Sequence, residues 1–363
     1  MNRSLLTLGL TLAMSTGSHA QSVTIYGLID AAVEHVTNVG PSGSGLNRMP
    51  SLTGSLPSWL GFRASDDLGD GLRAVVNLEQ GFTSDMGTLS QGGRAFGRQA
   101  FVGLTGPWGA VTFGRQYTML FWALLDAEVL GPNIHGSGSF DAYIPNARAD
   151  NSIAYRGDFA GVTLGATFSL GRDAVNAGSP AGTNCPGEQG LDENACRGWS
   201  ALVKYDSASW GAALAFDEIR GGPGAFSGLT SSAMKDKRLS LNGYANLGAI
   251  KVAAGLIRRD NGANQLAPRS DLWYVGTVCP LTPVLTIDAE LFKFKAKHGS
   301  DDATLLAARA TYLLSRRTAL YATLGYIAND GASALSVSAG AAGSSPQPGA
   351  GQTGLAAGVR HSF

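Results

Sequence analysis

Seven short turns alternate with eight long polar connections along this chain, and that asymmetry limits what it can fold into more than any other feature. The short turns read at 66–71, 106–109, 158–161, 207–209, 246–248, 279–283 and 315–317, where Gly, Asp, Asn, Ser and Pro gather. The longer connections cover 36–57, 83–93, 117–149, 171–198, 220–236, 260–269, 298–301 and 329–351. Between them the chain alternates in polarity with a period of two, as a β-strand does. In the first such segment Val23, Ile25, Gly27, Ile29, Ala31 and Val33 oppose Thr24, Tyr26, Leu28, Asp30, Ala32 and Glu34. The same pattern closes the chain, with Leu355, Ala357, Val359, His361 and Phe363 on one face and Gly354, Ala356, Gly358, Arg360 and Ser362 on the other.

No apolar run after the first twenty residues approaches the ~18 residues that a membrane-spanning helix needs. A chain of this kind that enters a membrane must do so as a closed barrel, because an open sheet edge in hydrocarbon leaves backbone groups unpaired. The turn grammar predicts sixteen strands, both ends on the short-turn side, in an all-β, antiparallel transmembrane β-barrel. Residues 1–20, with Arg3, an apolar run from Leu5 to Met14 and Ser18-His19-Ala20, read as a secretory signal peptide, and 21–363 as one barrel. The formal net charge is zero and no basic block occurs, so nucleic acid is not an expected partner.

Three cysteines fall in the exported part. Cys185 and Cys196 share one loop-like stretch and are expected to pair in an oxidising compartment, leaving Cys279 free. The chain offers no neighbouring His pairs for a metal site, and no cofactor is expected. Tyr155, Phe168, Tyr205, Trp210, Phe216, Tyr244, Trp273, Tyr274, Tyr312, Tyr321, Tyr326 and Phe363 fall near strand ends and are expected to supply aromatic girdles. Lys293, Lys295 and Lys297 share the parity of Leu285, Ile287 and Ala289, so either a bulge shifts the register or these lysines lie above the hydrocarbon beside anionic lipid.

The segments SWLGFRASDDLGDGL, FGRQAFVGL, GAVTFGRQYT, NSIAYRGDFAG, YLLSRRTALYATLGY and GVRHSF resemble the general diffusion porins of Gram-negative outer membranes, in the β-proteobacterial version. The likeness covers nearly all of the chain after residue 20 and is weakest in the long loops. It implies a homotrimer of water-filled channels for small hydrophilic solutes and ions, with periplasmic termini. It also implies that the third long loop, about 117–149, folds inward to narrow the pore. Arg98 matches a pore arginine of the family directly, and Asp126, after Leu124-Leu125, matches an acidic residue of the loop. Glu128 and Asp141 are further acidic candidates. Trp59 stands where many relatives have Arg, with Arg63 on the same face; Ala154 stands where relatives carry a base, with Arg156 on the same face. Asp30, Tyr117 and Arg360 are expected to line the pore, while the facing of Arg115 stays open. The family likeness also makes Phe363 the signal for the outer-membrane assembly machinery.

Other readings remain at this stage. Trp59, Tyr117, Phe121 and Trp122 could form an aromatic path in a channel that prefers sugars or organic anions. The long loops could serve a surface adhesin. An outer-membrane enzyme has little footing, since the mature chain's His35, His135, His298 and His361 are scattered and neither GxSxG nor HExxH occurs.

Overall fold

The computed structural model describes residues 22–172, 185–188, 190, 192–225, 228–263, 268–297, 301–339 and 343–363. The segment expected to be a signal peptide, and His298, lie outside the described residues. Strand β1 (Ser22–Val39) is followed by the short β2 (Ser44–Arg48). Seven hairpins follow in chain order: β3 (Trp59–Gly69) and β4 (Leu72–Gly81), β5 (Gln99–Gly106) and β6 (Gly109–Tyr117), β7 (Arg148–Phe159) and β8 (Val162–Gly171), β9 (Gly198–Asp206) and β10 (Trp210–Arg220), β11 (Lys235–Leu247) and β12 (Ile250–Asn261), β13 (Arg269–Pro280) and β14 (Leu285–Ala296), β15 (Ala303–Leu313) and β16 (Thr318–Asn329). The closing strand is β17 (Gln352–Ser362).

All seven expected short turns join these hairpins. Ala160 and Gly161 both take positive φ, 50° and 87°, the backbone that lets a two-residue connection match the twist of its strands. Asp70 and Gly71 do the same at 51° and 77°. Neighbouring strands pair antiparallel throughout, and β1 closes the sheet against β17 from Leu28↔Ser362 to Val36↔Gly354. Sixteen strands make the wall. The seventeenth, β2, was expected to be loop; it is a spur paired with the top of β1 at Glu34↔Arg48, where Gly43 at φ 64° lets the chain double back.

The two faces sort as the alternation requires. Val23, Ile25, Ile29 and Val33 of β1 are 46–63% exposed on the outer surface, whereas Asp30, Ala32 and Glu34 are buried inward. Phe168, Tyr205, Trp210, Trp273, Tyr312, Tyr326 and Phe363 lie exposed on the outside near strand ends. Tyr274 and Tyr321 do not join that girdle. Both alternate inward and are buried, Tyr321 against Asp30. The β13–β14 register runs unbroken from Ser270↔Ala296 to Pro280↔Thr286, so no bulge turns Lys293 and Lys295 inward. Cys185 and Cys196 form a disulfide with Cα atoms 5.0 Å apart, and Cys279 is free.

The candidate pore constriction

The connection between β6 and β7 stays inside the barrel. Thr118 N–H donates to the Ala147 carbonyl at 2.8 Å, pinching the base of the loop, and a short helix, α2 (Met119–Leu124), then runs along the inner wall. Met119 N–H is held by Ser200 Oγ at 2.9 Å. Farther along, Leu130 N–H donates to Glu290 Oε2 at 3.1 Å and Ile134 N–H to the Thr53 carbonyl at 3.0 Å. Ala339 N–H donates to the Ile134 carbonyl at 2.7 Å, so the eighth long loop meets the third. The chain returns through Tyr143, whose hydroxyl donates to Asp217 Oδ2 at 2.7 Å. These contacts reach β9, β10, β14 and two other loops, so the segment spans the lumen. Its apolar side chains Leu120, Leu124, Phe140 and Ile144 pack with Ile257, Leu272 and Phe292 of the wall.

On the wall of β3–β7 the structure brings together most of the expected basic residues. Arg98 Nε lies 3.3 Å from Glu79 Oε2, its Nη2 donates to the Tyr117 hydroxyl at 3.1 Å, and its guanidinium sits 5.4 Å from the Trp59 ring centre. Trp59 meets Tyr26 edge-on at 4.9 Å, and Arg63 lies over Tyr26 at 4.7 Å. In the other direction Tyr117 stacks on Phe121 at 3.7 Å and meets Trp122 edge-on at 6.2 Å. Arg156 lies over Trp122 at 3.9 Å. Arg148 joins through its Nη2, 2.9 Å from the Tyr117 hydroxyl. The result is a ladder of four arginines, Arg63, Arg98, Arg148 and Arg156, interleaved with aromatic rings. Arg63 and Arg156, which are not buried, lie over rings and keep in-plane N–H groups available for an anion, whereas Arg148 is buried and adds its charge from behind.

Among the described residues Glu79 is the one carboxylate bound into this ladder, and it was absent from the sequence reading. The Tyr26 hydroxyl donates to it at 3.0 Å as well. Strand parity was a signal that could have found it, since Glu79 shares a face with Asn77 and pairs laterally with Gln99, next to Arg98.

The three acidic residues of the loop, expected to face these arginines, engage other walls. Asp126 binds Lys204 on β9, and that lysine also lies 2.9 Å from Asp206. Asp141 is buried behind the loop, 2.7 Å from Arg238 Nε and 3.4 Å from Arg259 Nη1. Glu128 is buried beside Glu290 and Tyr274, with Oε1 lacking a hydrogen bond; burial pushes its carboxyl up to about 7. The loop anchors on cations of β9, β11 and β12 because it crosses toward those strands, which strand parity in one segment does not reveal.

Asp30 faces inward as expected yet does not meet lumen water. Segment 53–58 of the first loop folds over it, with Ser58 Oγ accepting from the Asp30 N–H at 2.9 Å and Leu56 N–H donating to Asp30 Oδ2 at 3.3 Å. Arg360 also faces inward and donates to Ser55 Oγ at 2.6 Å. Arg115 is buried against the Gly97 carbonyl at 2.7 Å and binds Asp150 Oδ1 at 2.5 Å. Phe363 lies outside, 42% exposed, with its ring over Gly27.

A closed barrel with an apolar outside, a charged inside and a loop across its lumen defines a membrane channel. A family model described as Gram-negative porin matches residues 7–332, and the chain belongs to that family. It is 27% identical to outer membrane porin protein 32 of Delftia acidovorans, with all of both chains aligned. It is 25% identical to an outer membrane porin protein of Bordetella pertussis over 91% of this chain and 95% of the relative. The anion-selective porin from Comamonas acidovorans superposes with a TM-score of 0.77 at 23% identity, covering 94% of this chain and 100% of that one. OmpF of Salmonella typhi superposes at 0.63 with 13% identity over 94% and 97%. The protein is thus an outer-membrane channel for passive diffusion.

Proposed function

We propose that this channel prefers anions and that the Arg63–Arg98–Arg148–Arg156 ladder sets the preference. The observation that carries the reading is the imbalance of fixed charge: among the described residues the four guanidiniums of one wall have one ion-paired carboxylate, Glu79 on Arg98, while Asp126, Glu128 and Asp141 are taken up by other partners or by burial. Fixed positive charge beside a narrow aqueous path raises the local anion concentration and repels cations. The solved porin described as anion-selective supports the same sign. Trp59, Tyr117 and Trp122 add apolar faces, so small organic anions are better suited to this wall than sugars.

The working unit is a homotrimer. The outward side chains of β1 from Val23 to Val33, of β3 from Leu60 to Ala64 and of β5 are uncharged and apolar, as a subunit interface in lipid requires, and a solved Vibrio cholerae outer-membrane protein with this fold is described in a trimer form. Residues 1–20 are removed on export, and 21–363 form the mature barrel.

Reversal potentials in planar bilayers under a salt gradient test the charge assignment. Arg63→Gln with Arg156→Gln should shift the reversal potential toward that of a non-selective pore. An unshifted potential in a folded, conducting double variant would remove the ladder from the selectivity mechanism.

A further inference from the structure

The outer surface carries a feature that conduction does not use. At the long-loop ends of β12, β13 and β14 the outward positions are charged: Arg258, Arg269, Lys293, Lys295 and Lys297, against Asp260 and Asp271. Lateral pairing aligns them in rows. Arg258 sits beside Asp271 and Asp271 beside Lys295; one step toward the membrane centre, Leu256 sits beside Trp273 and Trp273 beside Lys293. The band continues on β11 with Lys235 and Lys237, which share Glu218 of β10 at 2.9 and 3.9 Å. Elsewhere the corresponding outward positions are uncharged, such as Thr304 on β15, Tyr326 on β16 and Leu355 on β17.

Two of the acids are already used within the band, Asp271 by Arg258 and Lys297 at 2.8 Å each, and Asp260 by Arg269 at 3.3 Å. Lys293 donates to Thr304 Oγ1 at 3.0 Å and lies 4.0 Å from the exposed Asp330, a loose pair in water, while Lys295 is exposed and has no ion pair among the described residues. Directly below lies an outward groove of about 590 Å³, lined by Leu241, Leu256, Trp273, Val275 and Leu291, with Lys293 at its edge. Charged side chains on a lipid-facing surface are costly in hydrocarbon and cost little at the interface, which sets this band at headgroup level. Surplus positive charge over an apolar groove complements an anionic headgroup with its chain below.

We propose that the β11–β14 arc of the outer wall is a binding site for an anionic, phosphorylated lipid of the leaflet on the long-loop side. Lys293 and Lys295 hold the phosphate, and an acyl chain lies in the groove beside Trp273. The pore ladder is on the opposite face of the wall, so this site can fail while the channel reading stands.

The test uses the full refolded protein and a bisphosphorylated lipid A, compared with the same lipid stripped of phosphate. Wild type should bind the phosphorylated form more tightly. At about fivefold per charge, Lys293→Gln with Lys295→Gln should weaken that binding roughly 25-fold and leave conductance unchanged. Arg316→Gln with Arg317→Gln, at the short-turn end, should bind as wild type. The proposal is overturned if the lysine variant binds within twofold of wild type, or if the short-turn variant loses as much. Full competition by soluble glucosamine phosphate would likewise overturn it, by showing a polyanion site indifferent to the chain. Should the lysine variant not fold, equal binding of the phosphorylated and stripped lipids by wild type would overturn it alone.

Discussion

Glu128 makes the docking of the third loop depend on pH, in a direction that its surroundings fix. The carboxyl is buried against Tyr274 and Glu290, and burial raises it from 4.5 to about 7. In an undocked loop it would meet water and titrate near 4.5. Below that pH both states hold the proton and docking does not vary. Between 4.5 and about 7 only the docked state holds it, so docking weakens as pH rises. Above 7 the full penalty applies, about 3 kcal/mol or roughly 300-fold in the docking equilibrium. Glu128→Gln is neutral at every pH and removes this residue's share of the dependence while keeping shape. Hydrogen exchange of the Leu130 and Ile134 amides, which donate to Glu290 and to the Thr53 carbonyl, reports docking directly. After correction for intrinsic rates, wild-type protection should fall between pH 5 and 8.5, and the variant's should fall less. A flat wild-type profile, or an equal or steeper slope in Glu128→Gln, would refute the reasoning; the buried Glu290 remains beside the loop in both proteins and accounts for whatever slope the variant keeps.

Two further outcomes follow from the same geometry. Asp141→Asn leaves Arg238, fully buried, and Arg259 sharing Asp236 alone, at 2.9 and 2.8 Å, and loses a charged hydrogen bond from the loop to the wall, about 1.5–3 kcal/mol; trypsin should then cut the third loop of the folded barrel faster than in wild type, and unchanged resistance would contradict this. Deleting Phe363 removes the pairing of its backbone with Gly27, at 3.1 and 3.2 Å, and should lower the yield of folded oligomer on heat-modifiability gels far more than it alters single-channel conductance.

The strands were legible because each buries one face and wets or lipidates the other, so parity could be read from residues such as Val23 to Glu34. The same parity turned Arg63 and Arg156 inward and Lys293 and Lys295 outward, whereas Arg98 was found through the family likeness. The short strand β2 was missed because Ser44–Arg48 carries no apolar alternation; it forms by doubling back onto β1. The partners of Asp126, Glu128 and Asp141 were illegible for a different reason. Each depends on where a loop of about 30 residues lands after the barrel closes, and local pattern holds no information on that distance. Glu79 was legible in principle, through its parity with Asn77, but its neighbour Arg98 precedes β5 and sits outside the alternating segment.

The closure of β1 on β17 also governs how this chain reaches its fold. The bond from Thr37 to the Thr353 carbonyl joins residues 316 apart in sequence, and the Asp30–Tyr321 contact joins residues 291 apart. Every other wall contact is between consecutive strands and can form as hairpins zip together, whereas this seam must wait for both ends to be present. Its loop-closure entropy grows only with the logarithm of chain length, so the delay is a matter of search rather than of stability. The first loop lies over Asp30 at this seam and is in turn held by the third, through Thr53 and Ile134. Kinetically, the pore's interior is therefore assembled last, and a chain stalled before that step would be a sheet with two open edges and no channel.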